Sequence, residues 1–458
     1  MSRRAVWTLL VCALIACGAY WWGSQGLPGA GLAVSQWSFL AAAIGCARSA
    51  GRCKADATGV ALAVLSALLA GCYALYANAL MRLMNLPVLA AASVQAALAL
   101  GGRLEDGSLS VAGLRDGLRQ TPGALVRYVG VPLRGMREEG EAAARRGLVW
   151  GLALCVPVTG VALVLLCGAD SVFGGLVEQG LGAVSVTWVL RAALTLACGL
   201  ALFSFLYGLT QPASQARAAR RPDLPPATLG VPLAALVVLY GLFVYIQIRY
   251  LFGGAETALM RGGYAQYARS GFFELVAAAF LSLGMVFAAL CQCGRSTAIR
   301  WLSALLAAFT AVMTYSSLMR MRLYVEVYGL SLLRLLTLWG MGLIAAGIAL
   351  ALIKCARPAL RAAPTLLLLA LAGWVALNAL NPALLVARYN VSMFNRGALA
   401  ELDLSYLSAQ SPDVLPALED IADGALRQEA LDTALRDWRS RAPSLYDASL
   451  SWLRLPAP

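Results

Sequence analysis

Long apolar runs, broken by short polar or Arg-bearing connections, repeat along most of the chain. A helix needs about 20 mainly apolar residues to cross a ~30 Å hydrocarbon core. Eleven segments read as such spans: Ala5–Gly23, Gly31–Ala47, Thr58–Ala77, Leu86–Gly101, Gly147–Gly168, Ser185–Leu209, Gly230–Tyr250, Phe272–Cys291, Trp301–Met319, Ser331–Ile353 and Thr365–Leu380. Leu86–Gly101 is the weakest, being short and interrupted by Gln95, with a re-entrant or interfacial segment as its alternative. The pattern predicts an all-α, polytopic transmembrane helix bundle of about 11 spans with a small helical tail outside the membrane.

Two stretches depart from it. Arg103 to Arg146 holds eight Arg and six acids. Val111, Leu114 and Leu118 share a helical face there, which predicts an amphipathic helix on an anionic leaflet, with a solvated connector as the alternative. Asn381 to Pro458 is rich in acids, and Leu418, Ile421, Leu426, Leu431, Leu435 and Trp438 recur at helical spacing after a helix start at Ser411-Pro412-Asp413. The organisation expected is 1–102 with four spans, 103–146 as a cytoplasmic linker, 147–380 with seven spans, and 381–458 as a helical extracytoplasmic tail. No internal repeat of the kind found in inverted-repeat transporters is visible.

Composition agrees. Of 458 residues, 60% are hydrophobic and 13% charged, and mean hydropathy is +0.73. A soluble, disordered or fibrous chain is excluded. Histidine is absent, which removes phosphohistidine chemistry, imidazole-based triads and most catalytic zinc sites. The eleven cysteines sit mostly in apolar runs and read as packing residues. Cys291-Gln-Cys293 alone is a weak metal signal, so neither metal nor cofactor is expected.

The net charge of +13 follows the loops. With the N-terminus inside, inner segments carry 21 basic residues and outer loops five. This is the positive-inside bias, and it places the C-terminus outside. Nucleic acid is not an expected partner, because no basic soluble domain is present. Arg3-Arg4 before the first run could also open a signal peptide, with Cys17 in a lipoprotein-like box; an uncleaved first helix is the preferred reading.

Ionisable groups near the membrane are costly and often functional. In this topology they gather on the outer side: Arg249, Glu256, Tyr264, Tyr267, Arg269 and Glu274 around one loop, Arg320, Arg322, Tyr324, Glu326, Tyr328 and Arg334 around the next, then Arg388, Tyr389, Asn390 and Asp403 after the last span. Guanidinium forks match phosphate and carboxylate oxygens. The bland reading is interfacial anchoring, with Arg269–Glu274 and Arg334–Glu326 as plain ion pairs. Arg191, within a span near the outer end, reads as snorkelling. Asn378 and Asn381 read as helix caps, and Asn390-Val391-Ser392 as a chance sequon.

The blocks YIQIRYLFGG, YAQYARSGFFEL, RMRLYVEVYGLSLLR, ARYN and LDLSYLSAQSPDVLPAL resemble a bacterial family of multi-pass inner-membrane proteins, the one catalogued as a domain of unknown function of the four-one-seven-three type. The resemblance covers roughly Gly230 to Leu418 and implies an inner-membrane location, but no activity. A sensor-kinase label attached to some members does not suit a chain without His or a nucleotide-binding box.

The function expected is therefore a cell-envelope binding or assembly protein. Its outer cluster would hold an anionic lipid headgroup, an envelope glycan or a membrane-protein partner. The alternatives are an envelope transferase on a lipid-linked donor, with Glu256, Glu274 and Asp403 as candidate bases, and a secondary transporter.

Overall fold

The computed structural model describes residues 3–24, 26–51, 53, 56–104, 109–134, 159, 186–212, 225–251, 272–441, 443–444 and 446–455. Among these residues all regular structure is helical. Among the described residues ten helices are long and apolar enough to cross a membrane, and they coincide with ten of the eleven predicted spans. The eleventh, Gly147–Gly168, lies outside the described residues apart from Thr159. The protein is an all-α, polytopic helix bundle. The span read as weakest belongs to a longer helix, Ala79–Leu100, so shortness does not count against it.

The chain forms two compact units, Met1–Gln215 with Arg441–Pro458, and Ala216–Ser440. The first contains α1 (Arg3–Gly23), α2 (Ala30–Ser49), α3 (Ala57–Leu75), α4 (Ala79–Leu100), α5 (Val111–Val126), α6 (Val131–Arg134) and α7 (Val186–Thr210). α1 and α7 run antiparallel. Trp22 meets Trp188 at one end, with ring centroids 4.7 Å apart, and Val6 and Leu10 pack on Phe203 towards the other. Gly18 faces Thr195 and Gly199 faces Leu14, so small residues bring the two helices close.

The predicted amphipathic helix forms as α5, capped by Ser110, whose Oγ accepts from Gly113 N–H at 2.9 Å. It meets α4 through its glycines and α7 through Ala124, which packs against Phe205, Leu206 and Leu209. Gln95 of α4 donates to the Gly113 carbonyl at 3.0 Å and lies against Gly117, while Leu118 remains 78% exposed. A buried amide needs a hydrogen-bond partner, and a backbone without side chains lets a carbonyl approach. Leu114 is half-buried, so of the predicted face Leu118 is the side chain open to lipid. α6 packs beside Phe203, whereas α7 begins beside Trp22. The chain therefore leaves the described part of this unit at one end and re-enters at the other.

The second unit contains α8 (Pro226–Leu251), α9 (Phe272–Cys293), α10 (Thr297–Tyr328), α11 (Leu332–Ala356) and α12 (Ala362–Ala379), then α13 (Pro382–Asn395), α14 (Leu404–Ser408), α15 (Leu415–Glu419) and α16 (Gly424–Ser440). Its core joins Leu233, Val237 and Tyr240 to Val286, Leu290, Leu306 and Met313. α8 and α10 are parallel: Gly230 faces Ile299 and Gly241 faces Phe309. α9 runs against α10, and the Ser282 and Thr310 hydroxyls meet at 2.8 Å between them. The C-terminal ends of α8 and α10 thus share one end of this unit with the N-terminal ends of α9 and α11.

The tail is helical as the spacing predicts, but α16 buries Ala430, Ala434 and Trp438, leaving Leu426, Leu431 and Leu435 half-buried. Leu418, Ile421 and Trp438 are fully buried, and Trp438 Nε1 donates to the Gln410 carbonyl at 2.8 Å. Asn381 starts α13 in the left-handed region, φ 55°, and its Oδ1 accepts from Leu384 N–H. Asn378 donates to the Trp374 carbonyl at 2.9 Å. Residues beyond Ser440 belong to the first unit, where α17 (Leu450–Leu453) packs near α3.

Candidate functional site

The described members of the predicted cluster separate into groups within the second unit. Glu256, Tyr264, Tyr267 and Arg269 lie outside the described residues, as does the side chain of Arg249. An Arg269–Glu274 pair is therefore not described.

The first group is a structural hub around the α10–α11 turn. Gly329 sits at φ 71°, ψ 179°, a conformation reserved for glycine. Asn390 of α13 reaches this turn from the side. Its Oδ1 accepts from Leu330 N–H at 2.7 Å and its Nδ2 donates to the Leu330 carbonyl at 2.8 Å. Tyr406 of α14 adds its hydroxyl, which accepts from Leu332 N–H at 2.9 Å. Three of the sequence blocks meet here, namely RMRLYVEVYGLSLLR, ARYN and LDLSYLSAQSPDVLPAL.

Arg334 belongs to the same hub. Its guanidinium lies over the Tyr324 ring, 4.2 Å from the centroid, and donates to the carbonyls of Tyr328 at 2.9 Å and Gly329 at 2.5 Å. The expected Arg334–Glu326 pair is not formed. Glu326 instead meets Arg322, one turn earlier on the same helix, at 3.6 Å. The Tyr328 and Tyr324 rings meet at a tilt of 54° with centroids 5.1 Å apart, and Tyr324 and Tyr389 pack on Met321, Val325 and Met341. These Arg and Tyr side chains cap a turn and cover an apolar cluster, which is a structural role.

Asp403, a candidate base, is the N-cap of α14. Its Oδ1 accepts from the Ser405 hydroxyl at 2.6 Å and from Tyr406 N–H at 2.9 Å, and these bonds hold its carboxyl below the usual range. Burial pushes the Tyr406 hydroxyl up.

The second group is different in kind. Glu274, in the first turn of α9, and Arg320, near the end of α10, line one groove of about 500 Å³. Its other walls are Leu239, Tyr240, Phe243, Leu275, Ala278 and Met313. Tyr240 is fixed by donating to the Ala278 carbonyl at 2.8 Å. Leu239 and Phe243 are exposed on the outer surface of α8, so the groove opens sideways between the helices. Arg320 is half-buried and Glu274 exposed at its rim. One cation and one carboxylate in an otherwise apolar trough suit an amphiphile with a polar head.

Arg388 lines a separate, shallower cleft with Ser392, Asn395, Arg396 and Asp420. Cys293 is buried in the core while Cys291 is exposed on the same helix, so the pair does not converge. Among the described residues no group of three His, Cys, Asp or Glu side chains is placed to hold a metal ion.

Sequence reasoning missed Tyr240, Tyr406 and the pairing of Arg82 with the C-terminal segment. In the positive-inside count Arg82 is one of the five outer-loop basic residues. It lies in α4, is 5% exposed, and donates to the carbonyls of Tyr73, Tyr76 and Asp447 at 3.0–3.1 Å. Arg191 likewise does more than snorkel, donating to the Ser24 carbonyl at 3.3 Å.

A family model described as a domain of unknown function (DUF4153) matches residues 9–421. The chain belongs to that family. The match takes in the N-terminal helices as well as the motif blocks, and the family is numbered differently from the four-one-seven-three type that the blocks resemble. Its description assigns no activity. No curated protein and no solved structure matches the chain.

Proposed function

We propose that this integral membrane protein binds an anionic phospholipid of the bacterial inner membrane in the groove between α8, α9 and α10. The observation that carries the reading is the joint placement of Arg320 and Glu274 in a trough whose other walls are apolar. The headgroup phosphate faces the Arg320 guanidinium, and Glu274 accepts from a headgroup hydroxyl. An acyl chain lies along Leu239 and Phe243. In low dielectric, a guanidinium–phosphate contact is stronger than the same contact in water. The loop charges support an inside N-terminus, which puts this end of the second unit on the outer side.

The test is retention of a photoactivatable phosphatidylglycerol by the full chain in nanodiscs, with phosphatidylcholine as the competitor. Wild type is expected to label preferentially with phosphatidylglycerol on α8 or α10. Arg320→Ala is expected to lose that preference by about tenfold at unchanged thermal stability. Equal labelling of the two proteins would defeat the proposal.

A further inference from the structure

The last residues of the chain are built into the first unit, beyond the part of the sequence that the family model covers. They meet the stretch between α1 and α2 and the turn between α3 and α4.

The contact begins with helix chemistry. α2 starts after Gly29, which has no side chain to cap it. The first N–H groups of a helix have no partner within it. Here the C-terminal segment supplies them: Ala30 N–H donates to the Ala448 carbonyl and Gly31 N–H to the Tyr446 carbonyl, both at 2.9 Å. The carbonyls of Tyr446 and Ala448, presented by a turn closed on the Ser444 carbonyl, thus cap α2 from outside it.

Side chains give the contact its selectivity. The Tyr446 ring lies against both Gly23 and Gly31, where a Cβ on either glycine would overlap it. A Cβ on Gly29 would overlap the Asp447 carbonyl oxygen. The Asp447 side chain then enters a polar seat and is 3% exposed. Its Oδ1 accepts from the Ser24 hydroxyl at 2.7 Å, its Oδ2 accepts from Gly26 N–H at 2.8 Å, and the Ser444 hydroxyl lies 2.7 Å from Oδ2. Arg82, buried in α4, donates to the Asp447 carbonyl at 3.0 Å. Further along, the Ser451 hydroxyl donates to the Leu75 carbonyl at 2.8 Å.

These are the parts of a peptide-recognition site: main-chain pairing for affinity, a slot over glycines for an aromatic ring, and donors around a buried carboxylate. We infer that this end of the first unit is a seat for a Tyr-Asp dipeptide, and that residues 441–455 occupy it in cis as a detachable closing segment. A carboxylate taken from water must recover its lost hydration through hydrogen bonds, and here the donors stand ready.

The experiment uses the full chain with a protease site inserted between Ser440 and Arg441. After purification and cleavage, the released fragment is expected to stay bound, and an excess of dye-labelled synthetic peptide 441–458 is expected to exchange with it saturably. Peptides carrying Asp447→Asn or Tyr446→Ala should compete at least tenfold less well. Equal competition by all three peptides would overturn the inference. So would immediate loss of the fragment with an unchanged melting curve. Because the insertion itself can disturb the segment, a second measurement uses an intact chain freed of its native cysteines and carrying Leu75→Cys and Ser451→Cys. A disulfide within one chain is expected. A disulfide formed only between two chains would replace the closure in cis by an exchange between copies.

Discussion

The side-chain amide of Asn390 pairs with both backbone groups of Leu330, at 2.7 and 2.8 Å, as a neighbouring strand would. This places Asn390 as the brace of the α10–α11 turn. It is 8% exposed, so the sequon it begins is closed to a glycan. Asn390→Ala would leave a buried donor and acceptor unpaired and should cost about 2–3 kcal/mol. Asn390→Asp keeps one acceptor but turns a buried carboxylate oxygen towards the Leu330 carbonyl, and should cost at least as much. Thermal unfolding in detergent, followed by tryptophan fluorescence, would rank the two; equal melting temperatures for all three proteins would remove the brace.

Gly329→Ala should be at least as damaging. The new Cβ would meet Asn390 Oδ1 at 2.8 Å, in a backbone conformation that L side chains rarely adopt. Strain of this kind is worth about 1–3 kcal/mol, before the loss of the Asn390 pair. Gly340→Ala, which meets nothing within 4 Å on α11, is the matched control and should be neutral or slightly stabilising.

Arg322 and Glu326 should matter little. Their side chains are 63% and 53% exposed at 3.6 Å separation, and such pairs contribute at most about 0.5 kcal/mol. Arg322→Ala should melt within a degree or two of wild type. Arg334→Ala, by contrast, strips two carbonyls of a donor and uncovers Tyr324, and should melt clearly lower.

Asp403 predicts a pH dependence with a definite sign. Its folded pKa is depressed by the Ser405 and Tyr406 hydrogen bonds, so its stabilisation is complete above the unfolded carboxylate value. That stabilisation is lost as pH falls through the folded one. Asp403→Asn retains a good cap and should abolish this acid-limb contribution with little change at pH 7. Melting curves between pH 7 and pH 3 would show it as divergence on acidification, wild type losing stability that Asp403→Asn keeps.

The ends of α2 supply a test of sidedness. In a chain without native cysteines, Leu27→Cys and Leu453→Cys should react with an impermeant maleimide from one side, and Ser49→Cys only from the other. Leu27 and Leu453 are exposed and belong to the end of the first unit that the C-terminal segment closes. The positive-inside bias predicts that their side is the outer one. Active alkaline phosphatase fused after Pro458 would agree.

What could be read from residues alone was whatever depends on local period and bulk polarity. The positions of the apolar helices among the described residues, and the burial of Leu418, Ile421 and Trp438, follow from burial at helical spacing, a property each segment carries by itself. Which charged groups meet does not. Arg334 and Glu326 stand close along the sequence, yet a glycine turn sends the guanidinium onto Tyr324 and leaves Glu326 to its own helix. Glu274 and Arg320 are distant in sequence and converge because α9 and α10 are packed antiparallel. Arg82 and Asp447 lie nearly a chain length apart, and nothing local distinguishes either from its neighbours. Pairing across such separations is set by how whole helices pack and where the chain end returns, and that information exists only once the tertiary structure has formed.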